Sequence, residues 1–273
     1  MLKRAVLSSY ATLDHVMTTA APAIGTGTTP VRMVAGAWPS AGGAAFYAAA
    51  RLAAYGHVAR PLVTIGSDVG GDAYLSACRS HGVAVDGITV QPGGRSPTCV
   101  LLHHYDGPYT CLLDGGTPPP VALSVDQAAL INDADLVVIA AGPPTTTAAV
   151  LARVRPGQIV AWIVKADPTC FTEPLCRDLI ARADFIFYNA AERALVDVGG
   201  PAFCRKQLRI ETHGANGVML HDGNVSVHQP VARVETQDPT GAGDTLAGSR
   251  SFGVTMPPSQ HSRPPSSWPW ALQ

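Results

Sequence analysis

From about residue 120 onward, short runs of β-branched and apolar residues alternate with segments of helical period, and the unit repeats several times. A capping pair, Ser124 with Gln127, opens a helix to Ala134. Strand Leu136-Val137-Val138-Ile139 follows, then a helix over Thr146 to Arg153 and a strand from Ile159 to Val164. Helix Pro174 to Arg182, strand Phe185 to Tyr188 and helix Ala190 to Val196 continue the series. Strands this short and this apolar have no polar face to offer water, so they belong in a parallel sheet covered by helices on both sides. Parallel neighbours need a long crossover, which the intervening helices supply. The pattern predicts a doubly wound α/β fold. With 273 residues, 47% of them hydrophobic, the chain can build one such domain with a substantial core, assigned to residues 1–248.

The first half reads differently. Residues from about 16 to 37 and from 87 to 114 are rich in Thr and Val and punctuated by Gly and Pro. They include Thr98 to Tyr105, an Asp106-Gly107-Pro108 turn and Tyr109 to Leu113. Antiparallel strands are expected there, forming a small sheet over one edge of the main domain, a lid that would exclude water. A later hairpin around Asp222-Gly223 reads as structural. Lys3-Arg4 ahead of Ala5-Val6-Leu7 has the start of a signal peptide, but Ser8, Ser9, Thr12 and Asp14 break the apolar run, which is better read as a first strand. Apolar runs such as Leu136 to Ala141 are too short to span a bilayer.

Composition narrows the partners. The net charge is −1, lysine occurs only at 3, 165 and 206, and the arginines are scattered, so no basic stripe for nucleic acid exists. A bound phosphate is expected to rely on backbone, arginine or metal. The six cysteines show no CxxC pairing, which points to reduced thiols in the cytoplasm. The nine histidines, the His103-His104 pair included, lack the spacing of zinc ligands.

Chemistry concentrates in Gln237-Asp238-Pro239-Thr240-Gly241-Ala242-Gly243-Asp244. Gly241, Ala242 and Gly243 let successive backbone N–H groups point into one concavity, and the helix that follows adds its positive end. Asp244 falls in the first turn of that helix, where it could take a proton from an attacking hydroxyl while the N–H groups hold phosphoryl oxygens. Taken as a bare Gly-x-Gly string, the same residues serve equally well as a strand-to-helix turn with an acid at the positive helix end.

The complete string resembles the C-terminal signature of the PfkB-type carbohydrate kinases, the ribokinase-like family. Other segments stand in the family's order: Gly42-Gly43 at a helix start, Ala53-Ala54-Tyr55-Gly56, Gly66-Ser67-Asp68-Val69-Gly70 and Gly82-Val83-Ala84-Val85-Asp86. Asn189-Ala190-Ala191-Glu192 and Thr212-His213-Gly214-Ala215-Asn216-Gly217 complete the set, so the likeness runs from residue 5 to 248. It implies a ribokinase-like fold and phosphorylation of a sugar hydroxyl by ATP with Mg²⁺. By resemblance, Asp244 is the base and Gly241, Ala242 and Gly243 form the anion hole. Asp14, Gly42 and Gly43 approach the sugar, and Tyr47 occupies the position of a family Asn. Asn189, Thr212, Gly214 and Gly217 surround the nucleotide, Glu192 organises Mg²⁺ through water, and Asp238 with Thr240 holds a monovalent cation such as K⁺. A cytoplasmic homodimer joined through the lid is a further expectation.

Singly, each motif has a plainer reading: Asn189 and Glu192 as a helix cap, the Gly42-Gly43 helix as tight packing, Thr212 to Gly217 as a turn. A nucleoside kinase of the same fold is the nearest alternative, and Tyr47 leans that way. A catalytically inactive ligand-binding relative is the other. No Gly-x-Gly-x-x-Gly follows the first strand and no Gly-Lys-Ser/Thr occurs, which disfavours dinucleotide-binding and Walker-type sites.

After Gly248 the pattern breaks. The stretch 249–273 is rich in Pro and Ser, and its five prolines forbid a regular helix where the family continues with helices. A shifted reading frame is one expectation: in it Met256-Pro257 and Trp268-Pro269 would each yield Ala, and Trp270-Ala271 Gly. A naturally disordered tail is the other.

Overall fold

The computed structural model describes residues 3–20, 27–34, 39–104, 109–198, 207–223, 225–232 and 240–250. The Asp106-Gly107-Pro108 turn, Gln237 to Pro239 and the tail beyond Arg250 lie outside the described residues. The chain begins with β1 (Arg4–Ser8), β2 (Thr12–Thr19), β3 (Arg32–Met33) and β4 (Ser40–Gly42), followed by α1 (Ala44–Ala54). Next come β5 (Val58–Leu62), β6 (Thr64–Gly66), α2 (Val69–Ser80), β7 (Thr89–Gln91), β8 (Thr98–His104) and β9 (Tyr109–Asp114). The alternating half follows: α3 (Val125–Asp133), β10 (Leu136–Ile139), α4 (Pro144–Leu151), β11 (Ile159–Ile163), α5 (Glu173–Arg182), β12 (Phe185–Asn189) and α6 (Arg193–Asp197). It closes with β13 (Leu208–Thr212), β14 (Val218–Asp222), β15 (Val225–Gln229) and α7 (Ala242–Arg250).

Eight strands form the main sheet in the order β15-β14-β13-β12-β11-β10-β1-β5. Neighbours from β13 to β5 are parallel, and the β13, β14 and β15 pairings at one edge are antiparallel. Strand side chains alternate between faces, so adjacent residues enter different cores. Leu7, Val138, Ala161, Ile163 and Phe187 pack beneath α1 and α2. Val6, Val137, Val160, Trp162 and Ile186 pack with Ile131, Val150 and Leu179 of α3, α4 and α5. This two-sided burial is why the strands read as continuous apolar runs. The capping box of Ser124 and Gln127 is formed in both directions.

The small sheet runs β3-β2-β8-β9, with β4 also on β2. It differs from the antiparallel expectation in one pairing: β2 and β8 are parallel, with Asp14 opposite Cys99. The connection between them passes through α1 and α2, long enough for a parallel crossover. β7, expected within the lid, pairs instead with β6 in a separate two-stranded sheet. Asp14 lies inside β2 rather than in a turn after the first strand. Asp68 caps α2 and ties it to the approach to β8, accepting from Gly71 N and from Ser96 through both N and Oγ. Burial alone would raise the Asp68 pKa, but the hydrogen bonds from Ser96 and Gly71 outweigh it and hold the carboxyl below its ordinary value. The described cysteines are free, and the Sγ atoms of Cys99 and Cys111 face each other at 3.3 Å across β8 and β9.

Candidate active site

The carboxyl ends of β12 and β13 carry two of the candidate residues, at the end of a doubly wound sheet where ligands bind. β12 ends at Asn189, whose register partner on β13 is Thr212, so two of the expected nucleotide residues stand side by side. Asn189 N donates to Glu192 Oε2 at 2.9 Å, and Asn189 Oδ1 accepts from Ala191 N. This closes a tight turn, and α6 starts only at Arg193, later than the expected helix start at Ala190. Glu192 is 6% exposed. Burial raises its pKa and Asp244 adds to that, while the hydrogen bond from Asn189 N and the charge of Lys165 act against it.

At the end of β13, Gly214 and Gly217 both take positive φ, of 56° and 96°. They do so for different reasons. A Cβ at Gly217 would lie 2.4 Å from the Gln229 carbonyl oxygen, so the glycine admits the close approach of β15, whereas Gly214 faces open space.

The residues expected at the substrate come from β2, β4 and α1, with α7 packed against α1. Asp14 is 3% exposed; its Oδ1 accepts from Thr12 Oγ1 at 2.6 Å and its Oδ2 from the Tyr47 hydroxyl at 3.3 Å. A Cβ at Gly42 would sit 2.0 Å from Asp14 Oδ2, so the glycine makes the room this carboxylate occupies. Gly43, at φ 84°, caps α1. The packing reading of this helix holds as well: Ala45, Ala48 and Ala49 are buried, α7 lies against α1, and a Cβ at Gly248 would meet the Ala48 carbonyl oxygen at 2.7 Å.

α7 opens with Thr240 and Gly241 ahead of it and Asp244 in its first turn. Gly241 has φ 75°, and an added Cβ would lie 2.6 Å from Tyr47 Cγ, so the tyrosine ring stands directly on the first of the candidate anion-hole residues. Ala242 and Gly243 are exposed and open the helix, where the first N–H groups have no intrahelical acceptor. Although the Asp244 residue keeps partial solvent access, its carboxyl is enclosed by protein. Burial pushes its pKa up to about 6, with Asp14 adding to the rise and Lys165 opposing it. Asp238 lies outside the described residues, so only Thr240 of the expected cation pair has a place in the structure.

Sequence reasoning passed over Lys165 when it left phosphate binding to backbone, arginine or metal. The residue follows β11, the neighbour of β12, and its Nζ donates to the Tyr109 hydroxyl of β9 at 2.8 Å. Its position just past a parallel strand was the available signal. A cavity of about 290 Å³ lies elsewhere, between Ser9, Leu62, Thr64, Gln127 and Thr146. No charged side chain lines it, so it suits a phosphate poorly.

A known family model matches most of the chain. Residues 11–251 fit that of the pfkB family carbohydrate kinases. The chain belongs to the pfkB family. It is 27% identical over 214 residues to the ATP-dependent ribose-1-phosphate kinase of Halopiger xanaduensis, covering 76% of this chain and 71% of that protein. It is 22% identical over 195 residues to the ribokinase of Lactococcus lactis, covering 70% of this chain and 64% of the relative's length. Among solved structures, the nucleoside kinase of Burkholderia thailandensis in complex with inosine superposes with a TM-score of 0.73 at 20% identity, over 92% of this chain and 84% of that one. The fold is therefore ribokinase-like, and pfkB membership carries the reaction class: phosphoryl transfer to an alcohol acceptor, with ATP implied as donor. No helix among the described residues is long and apolar enough to cross a membrane.

Proposed function

We propose that this pfkB-family chain transfers the γ-phosphoryl group of ATP to a hydroxyl of a sugar, with Asp244 as the base and the N–H groups of Gly241, Ala242 and Gly243 as the anion hole. The observation that carries the reading is the meeting of Asp14, Tyr47 and Gly241, drawn from β2, α1 and the start of α7, beside an enclosed Asp244. Asp14 would accept hydrogen bonds from sugar hydroxyls, with Gly42 and Gly43 allowing the close approach. Asn189, Thr212, Gly214 and Gly217 would border the nucleotide. A base whose pKa burial raises to about 6 suits the removal of a hydroxyl proton as phosphoryl transfer proceeds.

Glu192 would hold Mg²⁺ by way of water. Its buried carboxylate already accepts a backbone hydrogen bond from Asn189, and no cluster of three His, Cys, Asp or Glu suited to a metal occurs among the described residues. Such a donor-poor setting fits Mg²⁺, which keeps several waters and takes phosphate oxygens as ligands. Thr240, with Asp238, would hold a monovalent cation. The small sheet carries exposed Met33, Leu112 and Leu113, apolar surface that a second lid would cover in a cytoplasmic homodimer. A solution mass of one chain at working concentration would remove the dimer from this reading.

The second reading, a nucleoside kinase, draws on Tyr47. Its ring, set between Gly241 and Asp14, offers a flat apolar face to a base. ADP release measured over a panel of pentoses, pentose phosphates and nucleosides separates the two readings. Turnover with a sugar and its loss when Mg²⁺ is chelated are expected. MgATP turnover with none of the panel would defeat both.

A further inference from the structure

The candidate crevice collects negative charge. Asp14, Glu192 and Asp244 all border it, and Asp14 and Glu192 each act electrostatically on Asp244 or feel it. A phosphoryl group entering between carboxylates is repelled unless cations offset them, and in an enclosed site that repulsion is larger than in water. The cation common to Glu192 and Asp244 is Lys165.

Its placement follows from the fold. β11 and β12 are parallel neighbours, so the residues just past their ends share one edge of the sheet. Val164 N, one residue before Lys165, donates to the Phe187 carbonyl oxygen of β12 at 2.9 Å, so the chain past β11 starts out alongside the strand that leads to Glu192. α7, with Asp244 in its first turn, packs over β11 and β12. From the opposite side, Tyr109 of lid strand β9 accepts from Lys165 Nζ at 2.8 Å, with the ring centroid 5.4 Å from the same nitrogen. An ammonium group has three N–H donors, so the bond to Tyr109 leaves capacity for phosphoryl oxygens.

We propose that Lys165 is a further catalytic residue, the cation that touches the phosphoryl group during transfer, and that Tyr109 is a positioning residue through which the lid holds this cation in place. The proposal rests on the kinase reading above. No covalent step is assigned to Lys165. It offsets charge on the equatorial oxygens while the bond to ADP breaks, the bond to the acceptor oxygen forms and the acceptor proton passes to Asp244.

The test uses the full chain with Lys165→Met, Lys165→Arg and Tyr109→Phe. Two measurements are made: kcat and KM for the acceptor found in the panel assay, and affinity for MgADP with and without aluminium fluoride, a planar mimic of the phosphoryl in transit. Lys165→Met is expected to lower kcat about 10²-fold, the scale seen when one transition-state donor is removed. MgADP affinity should stay within about twofold of the wild type, while the tightening caused by aluminium fluoride disappears; Lys165→Arg should recover part of both because it keeps the charge. Tyr109→Phe should lower kcat by itself yet have no further effect in the Lys165→Met background, as expected for residues that act through one another. Undiminished fluoride-dependent tightening in Lys165→Met, or a loss confined to the acceptor KM, would overturn the proposal. Should the wild type turn over slowly, the fluoride comparison still decides. A wild type that binds no MgADP defeats the kinase reading itself, a result distinct from a Lys165→Met chain that binds MgADP and its mimic as the wild type does.

Discussion

Asp244→Asn is expected to lower kcat by about 10²- to 10⁴-fold with little change in the KM for ATP, because an amide cannot accept the acceptor's proton. The substitution keeps the shape and the position in the first turn of α7, so the loss reports chemistry rather than folding. Steady-state kinetics against the wild type measures it, and a variant with full turnover would remove Asp244 from the role of base. The same carboxyl predicts the pH dependence. With its pKa pushed up to about 6 by burial, the fraction of ionised base falls below that pH, so kcat/KM should decline on the acid side with a midpoint near 6.

Stability should move the other way. A carboxyl whose folded pKa exceeds its unfolded value binds its proton more tightly when folded, so the folded state loses stability as pH rises from about 4 to about 6 and is level above that range. Asp244→Asn removes the enclosed charge. Its melting temperature should therefore exceed that of the wild type at pH 7.5, with the difference vanishing near pH 4. Equal melting temperatures at both pH values would mean that the charge is well solvated in solution.

Gly42→Ala should damage acceptor binding more than any other single methyl. The added Cβ falls 2.0 Å from Asp14 Oδ2 and 2.2 Å from its Cγ, inside any tolerable contact. Asp14 cannot turn aside cheaply, since it is 3% exposed and held by Thr12 and Tyr47. Gly42 cannot retreat easily either, because β4 is in register with Thr12 on β2. A displaced carboxylate forfeits charge-assisted hydrogen bonds to the acceptor worth about 1.5–3 kcal/mol, which corresponds to roughly a 10- to 100-fold rise in acceptor KM. Overpacking should also cost about 1–3 kcal/mol of stability. Titrating acceptor at saturating ATP, alongside a urea melt, reads both. An unchanged acceptor KM would place the acceptor away from Asp14.

The success of sequence reading varied with the distance over which each feature is determined. Helix and strand periods and the Ser124 and Gln127 box are local, and they were legible residue by residue. The motif order around Asp244 was legible through resemblance, since spacing alone left each glycine string open to a turn. The parallel pairing of β2 with β8 was missed because neither strand's pattern encodes its partner's direction; the long crossover through α1 and α2 does that. The Gly42-Gly43 helix was weighed as either packing or function; the packing is visible in the face it lays against α7, and its start lies beside Asp14.

By itself, then, the sequence determined a doubly wound sheet and a second, smaller sheet, because burial pattern and backbone conformation are set by near neighbours, while the candidates for phosphoryl chemistry came from motif resemblance. Only the tertiary structure decided that Tyr47 stands on Gly241 and reaches Asp14, and that Lys165 joins Tyr109 beside Glu192 and Asp244. Those contacts link residues far apart in the chain, and side-chain charge and shape carry no record of a distant partner until the sheet brings both to the same edge.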